Sequence, residues 1–116
     1  MNPIEQARDA LKTALEDVDG IRVYMDPAPN VDAPAVVVSL PDLHFEAYCV
    51  EPTRATLEVV LVVKANSRAI DELGRLVTEV HEALESVDGA TVETARIGSW
   101  EDRLPAYIFE TEVALT

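Results

Sequence analysis

Cysteine is almost absent from this chain. Cys49 stands alone, which excludes an internal disulfide and a zinc site built on cysteines. Aromatic residues make up only 5%, so the core has to be aliphatic, assembled from Val, Leu, Ile and Ala. No apolar run approaches the roughly 18 residues of a membrane-spanning helix. The opening MNPIEQARDA lacks a charged-then-apolar secretion pattern, and the expectation is a chain made in a cytoplasm. Positive charge is the largest shortage. Nine basic residues, two of them lysine, face 22 acids, for a net charge of −13 and an isoelectric point near 4.3. Nucleic-acid binders neutralise phosphate with Lys and Arg, so this balance argues against direct DNA or RNA binding. It suits a protein that must repel something anionic, or one that works in high salt.

What is present is enough for one domain. At 116 residues with 48% apolar content, the chain can bury a modest core but not two. Asn2, Pro3 and Glu5 open a helix, with Asn as cap, Pro in the first turn and Glu answering the free amides. Ile4, Ala7, Leu11, Ala14, Leu15 and Val18 then share one helical face. Gly20 ends the helix in a left-handed conformation. Strands follow at 21–25 and 35–40, separated by a Pro- and Asp-rich loop. A long connection, PDLHFEAYCVEPTR (41–54), leads to ATLEVVLVVKA (55–65), the strongest strand. Its two faces are both apolar, Leu57, Val59, Leu61 and Val63 on one and Val60 and Val62 on the other, as in the middle of a sheet. Asn66 or Ser67 caps a second helix whose apolar face reads Ile70, Leu73, Val77, Val80, Leu84, Val87, and Gly89 stops it. Strands at 90–96 and 106–115 close the chain, joined by IGSWEDRLP (97–105).

ALEDVDG (14–20) and ALESVDG (83–89) differ at one position. Each precedes a strand, a Pro-containing loop and a Pro-Ala strand start, which favours a duplicated helix–hairpin unit over mere reuse of helix-stop chemistry. The order is then α-β-β-β-α-β-β. The expected fold is α+β in two layers, with both helices on one face of a mainly antiparallel five-stranded sheet. Val60 and Val62 would lie on the uncovered face, which asks for a partner.

Catalytic signatures are missing. The glycines at 20, 74, 89 and 98 form no phosphate-binding loop, and there is no HExxH, CxxC or nucleophile elbow. Asp42, His44 and Cys49 share one loop, where a Cys–His pair would make a thiolate nucleophile, but no oxyanion-binding element accompanies them. Asp42, His44 and Glu46 alternate along one side of an extended segment as metal ligands would, and a solvated polar edge explains them more simply. His81 reads as a surface histidine beside Glu82 and Glu85. Interaction chemistry remains. Phe45, Tyr48 and Trp100, half of the aromatic residues, fall in loops, either as interface anchors or as caps on the ends of the core.

Taken in order, the amphipathic opening helix into DVDGIRVYMDP, then APAVVVSLPDL, ATLEVVLVV, ALESVDGATVETA and PAYIFETEV resemble the tail terminator proteins of long-tailed bacteriophages, particularly those infecting actinobacteria. The resemblance covers nearly the full length, residues 1–116. It extends more loosely to head-completion and other neck proteins. It implies a non-enzymatic, cofactor-free virion protein that forms a ring, a hexamer, ending tail-tube polymerisation and offering the surface to which the head joins. The implied partners are other copies of the chain, the tail tube protein and a head-completion or connector protein, with no sequence-specific nucleic-acid contact and no membrane. A lumen lined with carboxylates would let DNA pass without adhering. On exposure arguments, segment 41–54 is expected to reach the next subunit or the tube through Phe45 and Tyr48, with Trp100, Val60 and Val62 as further interface candidates. Two other readings stay open: a small-ligand or regulatory module using the apolar sheet face as its pocket, and a domain whose acidity serves high salt. An enzyme would have to rely on Cys49 or His44.

Overall fold

The computed structural model describes residues 2–26, 30–48 and 50–115. Helix α1 (Pro3–Leu15) begins as its sequence indicates: the Asn2 side chain accepts the Glu5 amide at 2.8 Å, with Pro3 and Glu5 in the first turn. Ala7, Leu11 and Leu15 are buried, while Ile4 is 39% exposed. The strands beneath α1 are four residues long, about 13 Å, and cannot underlie a helix of about 20 Å for its whole length.

Helix α2 (Ala69–Glu85) has Asp71 and Glu72 in its first turn, but neither expected residue caps it. Arg68 holds the cap position without a side-chain bond, and Asn66 instead accepts the Arg68 amide at 2.9 Å in a turn just before the helix. The buried stripe is Ala69, Leu73, Leu76, Val80 and Leu84. Leu76 centres that stripe, which rotates Ile70 and Val77 away from the middle. Ile70, expected on the core face, is therefore exposed.

The sheet has six strands rather than five: β1 (Arg22–Met25), β2 (Ala35–Val38), β3 (Asp42–His44), β4 (Arg54–Val62), β5 (Ala90–Trp100) and β6 (Leu104–Ala114). Their order is β1-β2-β4-β6-β5, with β3 added beside the start of β4. The extra strand lies inside the 41–54 connection, where its three residues are too few to leave an alternation signal. The last two strands are longer than the sequence suggests. Residues 97–105 are not an open loop: β5 runs on to Trp100, and β6 resumes at Leu104.

Both helices cover one face. Val36, Val38, Leu57, Val59, Leu61, Phe109 and Val113 point toward Leu11, Leu15, Leu73, Leu76, Val80 and Leu84 in a single core. Each fully buried Leu there stabilises the fold by roughly 1.5–3 kcal/mol.

The duplicated unit is corrected by the pairing. β5 and β6 form an antiparallel hairpin, but β1 and β2 are parallel. On the helix-free face Tyr24 Oη accepts the Asp32 amide at 3.3 Å, and Ala33, just before β2, is buried. A parallel connection normally needs a dozen or more residues; strands this short need only about 13 Å of return. Arg8 of α1 fastens the far end of the pair, its guanidinium donating to the carbonyls of Asp26 at 2.6 Å and Val38 at 3.4 Å. What the two ALE(D/S)VDG segments share is a helix exit. Val18 and Val87 each donate three residues back, to Leu15 and Leu84, and Gly20 and Gly89 follow with φ of +86° and +83°.

The second sheet face is corrected as well. Val62 is fully buried, in a small cluster with Ala33 and Ala106 against which Val60, Trp100 and Leu104 pack half-buried. Ala33, just before β2, and the β5–β6 hairpin cover this apolar end from within the chain. Val62 therefore offers no surface to a partner.

Candidate docking surfaces

Beyond that cluster the helix-free face turns polar. Glu58 of β4 stands directly across from Glu110 of β6, a destabilising like-charge neighbour pair on its own. Arg96 of β5 joins them, bonding Glu58 at 3.2 Å and also Glu110. Arg54 pairs with Glu112 at 3.3 Å nearer the sheet end. All these side chains are between 30% and 51% exposed, so the network sets cross-strand register more than it adds stability.

The catalytic and metal candidates do not come together. His44 Nε2 is hydrogen-bonded to Thr56 Oγ1 at 2.8 Å, tying β3 to β4. Asp42 and Glu46 are exposed, Cys49 lies outside the described residues, and no group of three or more metal-ligating side chains gathers among the described residues. His81 meets Glu85 at 3.4 Å on the outer side of α2.

Exposed apolar surface is concentrated instead. Among the described residues seven large hydrophobic side chains are exposed, and four of them, Leu40, Phe45, Tyr48 and Val50, lie in or beside the segment 41–54. Tyr48 is 106% exposed and Val50 94%, and Tyr48 holds φ of +69°, a backbone conformation that costs a bulky residue about 1–2 kcal/mol. This arm leaves the sheet between the end of β3 and the start of β4. Thr53, whose amide bonds the His44 carbonyl at 2.9 Å, closes its base.

Two more of the seven, Ile70 and Ile97, face each other across a groove. Its volume is about 450 Å³. One wall is α2, with Ile70, Leu73, Gly74 and Val77; the other is the sheet, with Ala95 and Ile97 of β5 and Tyr107 of β6. The groove arises because the α2 stripe is centred on Leu76, leaving the flank of the helix over an edge strand that has a neighbour on one side only.

Of the residues proposed from sequence, Phe45 and Tyr48 are exposed and Val60 is half-buried. Trp100 and Val62 belong to the chain's own second cluster. The groove residues were missed. Ile97 lay in an expected loop and Ile70 in an expected core face, so neither position carried a signal of exposure. No family model matches the chain, and no curated protein sequence matches it either.

Proposed function

We propose that this chain is a non-enzymatic structural subunit that closes into a homo-oligomeric ring, and that the ring caps a bacteriophage tail tube, ends its growth and presents the surface for head joining. The observation that supports this reading is the gathering of six of the seven large apolar side chains exposed among the described residues into two patches. The arm springs from the Arg54 end of β4; the groove lies toward its Val62 end, since Leu61 pairs with Tyr107 and Tyr107 with Ile97. Patches toward opposite ends of β4 suit head-to-tail contacts, which form rings when the rotation closes. The resemblance to tail terminators over nearly the full length suggests the tube as the object capped. The net charge of −13 fits a channel that DNA must traverse without sticking.

Light scattering across salt and protein concentration tests the ring. The expected species is closed, near 76 kDa for six copies of 12.7 kDa. Electron microscopy of growing tail tubes tests the cap: the protein should sit at one tube end and halt elongation. Tubes that grow unchanged, with bare ends, would remove the capping function.

A second reading is favoured by the groove alone. An apolar cleft of about 450 Å³ is within the size range of small-ligand sites. A ligand module predicts a monomer or dimer whose melting temperature rises with apolar compounds, and no large closed species.

A further inference from the structure

We infer that the groove between α2 and β5 receives the exposed Phe45, Tyr48 and Val50 side chains of a second copy of this chain. The inference rests on the ring reading and deepens it, because it assigns the acceptor as well as the donor.

The arm cannot fill its own groove. Along β4 the arm is anchored at Arg54–Thr56, where β3 pairs, whereas Tyr107 and Ile97 align with Leu61. Six residues of strand separate them, about 20 Å. The occupant must therefore come from outside, and the molecule presents a matching one.

Charge supports the same occupant. The arm carries Glu46 and Glu51, and in a chain of net charge −13 most of the surface repels it. The entry to the groove's helix wall is the exception. Arg68 stands two residues before Ile70; further along, the wall is charge-balanced, with Arg68 and Arg75 beside Asp71 and Glu72, and Arg75 paired with Glu79 at 3.5 Å. The entry to α2, Lys64 to Ile70, contains two cations and no acid. Neither Lys64 nor Arg68 is held in an ion pair among the described residues.

Size supports it too. Aromatic side chains bury roughly 150–250 Å² each, so Phe45 and Tyr48 with Val50 supply about half of the roughly 800 Å² that each partner gives to a standard interface. Gly74 lies in the groove wall with nothing within 4 Å of where a Cβ would stand. That leaves room for an incoming ring.

Two variants test the pairing, each keeping the net charge and changing exposed positions only. Phe45→Ser with Tyr48→Ser removes the donor; Ile70→Gln with Ile97→Thr removes the acceptor. Circular dichroism and urea midpoints establish that both remain folded. Light scattering should find the wild type oligomeric, each variant monomeric, and their equimolar mixture a dimer of about 25 kDa, twice 12.7 kDa. The mixture stops at two because one intact donor meets one intact acceptor and the remaining surfaces are dead. It is read at the top of the concentration series, since one contact lacks the avidity of a closed ring.

If both variants keep the wild-type mass, the pairing is overturned while the ring reading survives on other surfaces. Monomeric variants whose mixture stays monomeric would overturn the pairing also, since the patches would not be complementary. A wild type that is monomeric at every concentration and salt overturns the pairing together with self-assembly.

Discussion

At Gly20 and Gly89 the backbone holds the same left-handed conformation for the same purpose, the turn from a helix into an edge strand. Their surroundings differ. A Cβ added at Gly20 meets nothing within 4 Å, whereas one at Gly89 would stand 3.3 Å from Ala114 Cβ. Gly89 is also held in place, its carbonyl accepting the Ala114 amide at 2.9 Å. Gly20→Ala should therefore cost only the conformational penalty, about 1 kcal/mol. Gly89→Ala adds crowding and should cost about 2–3 kcal/mol. Gly74 has the opposite sign. It sits inside α2 with no positive φ and with open space beside it, so Gly74→Ala should stabilise by about 0.5–1 kcal/mol. Urea denaturation of the three variants checks the order, and equal losses at 20 and 89 would show that the Ala114 contact carries no energy.

The β5–β6 hairpin turns on Glu101 and Asp102, with φ of +53° and +56°, and the Arg103 amide bonds the Trp100 carbonyl at 3.1 Å. Two left-handed central residues within such a bond make the mirror-image turn that suits twisted strands, and Asn-Gly or Asp-Gly is the sequence that normally marks it. Glu-Asp does not, so residues 97–105 read as a loop. Glu101→Asn with Asp102→Gly should relieve the strain and stabilise the protein by about 1–2 kcal/mol, seen as a higher urea midpoint with an unchanged slope. No gain would mean that the turn is not strained. The same logic separates what was legible from what was not. Helix starts and stops were readable because Asn2, Pro3, Gly20 and Gly89 act locally. The central strand was readable because Val59 to Val63 are apolar on both faces. The parallel β1–β2 pair was hidden because strand direction depends on contacts made just before β2, the Tyr24–Asp32 bond and the burial of Ala33, which act at a distance. The arm was legible in part, through Phe45 and Tyr48, whose exposure follows from an irregular segment bounded by Pro41 and Pro52. The groove was illegible. Its walls combine an α2 flank displaced by Leu76 with a strand that looked like loop.

Charge belongs to the whole molecule, and its distribution is uneven. Asp17, Asp19, Glu79 and Glu82 line one cleft of about 360 Å³ between the C-terminal parts of α1 and α2. Carboxylates there face the negative ends of two helix dipoles as well as each other, and the last turn of α2 contains no basic residue. The fold tolerates this repulsion because its aliphatic core is continuous beneath both helices. Two accounts of the acidity then part company. If the acids serve adaptation to high salt, the chain should unfold at low ionic strength. If they serve a surface that anions must not adhere to, it should stay folded in dilute buffer and gain only modestly as salt screens the cleft within a Debye length of about 10 Å at 0.1 M. The second outcome is expected, with a melting temperature that climbs smoothly with NaCl from an already folded state. Glu82→Lys localises the effect. It replaces one repelling carboxylate in the cleft by a cation at a helix C-terminus, and should add about 0.3–1 kcal/mol at low ionic strength while flattening the salt dependence. Thermal melts of both proteins over a salt series decide the matter: parallel slopes would place the repulsion elsewhere on the surface, and cold, dilute unfolding of the wild type would return the acidity to salt adaptation.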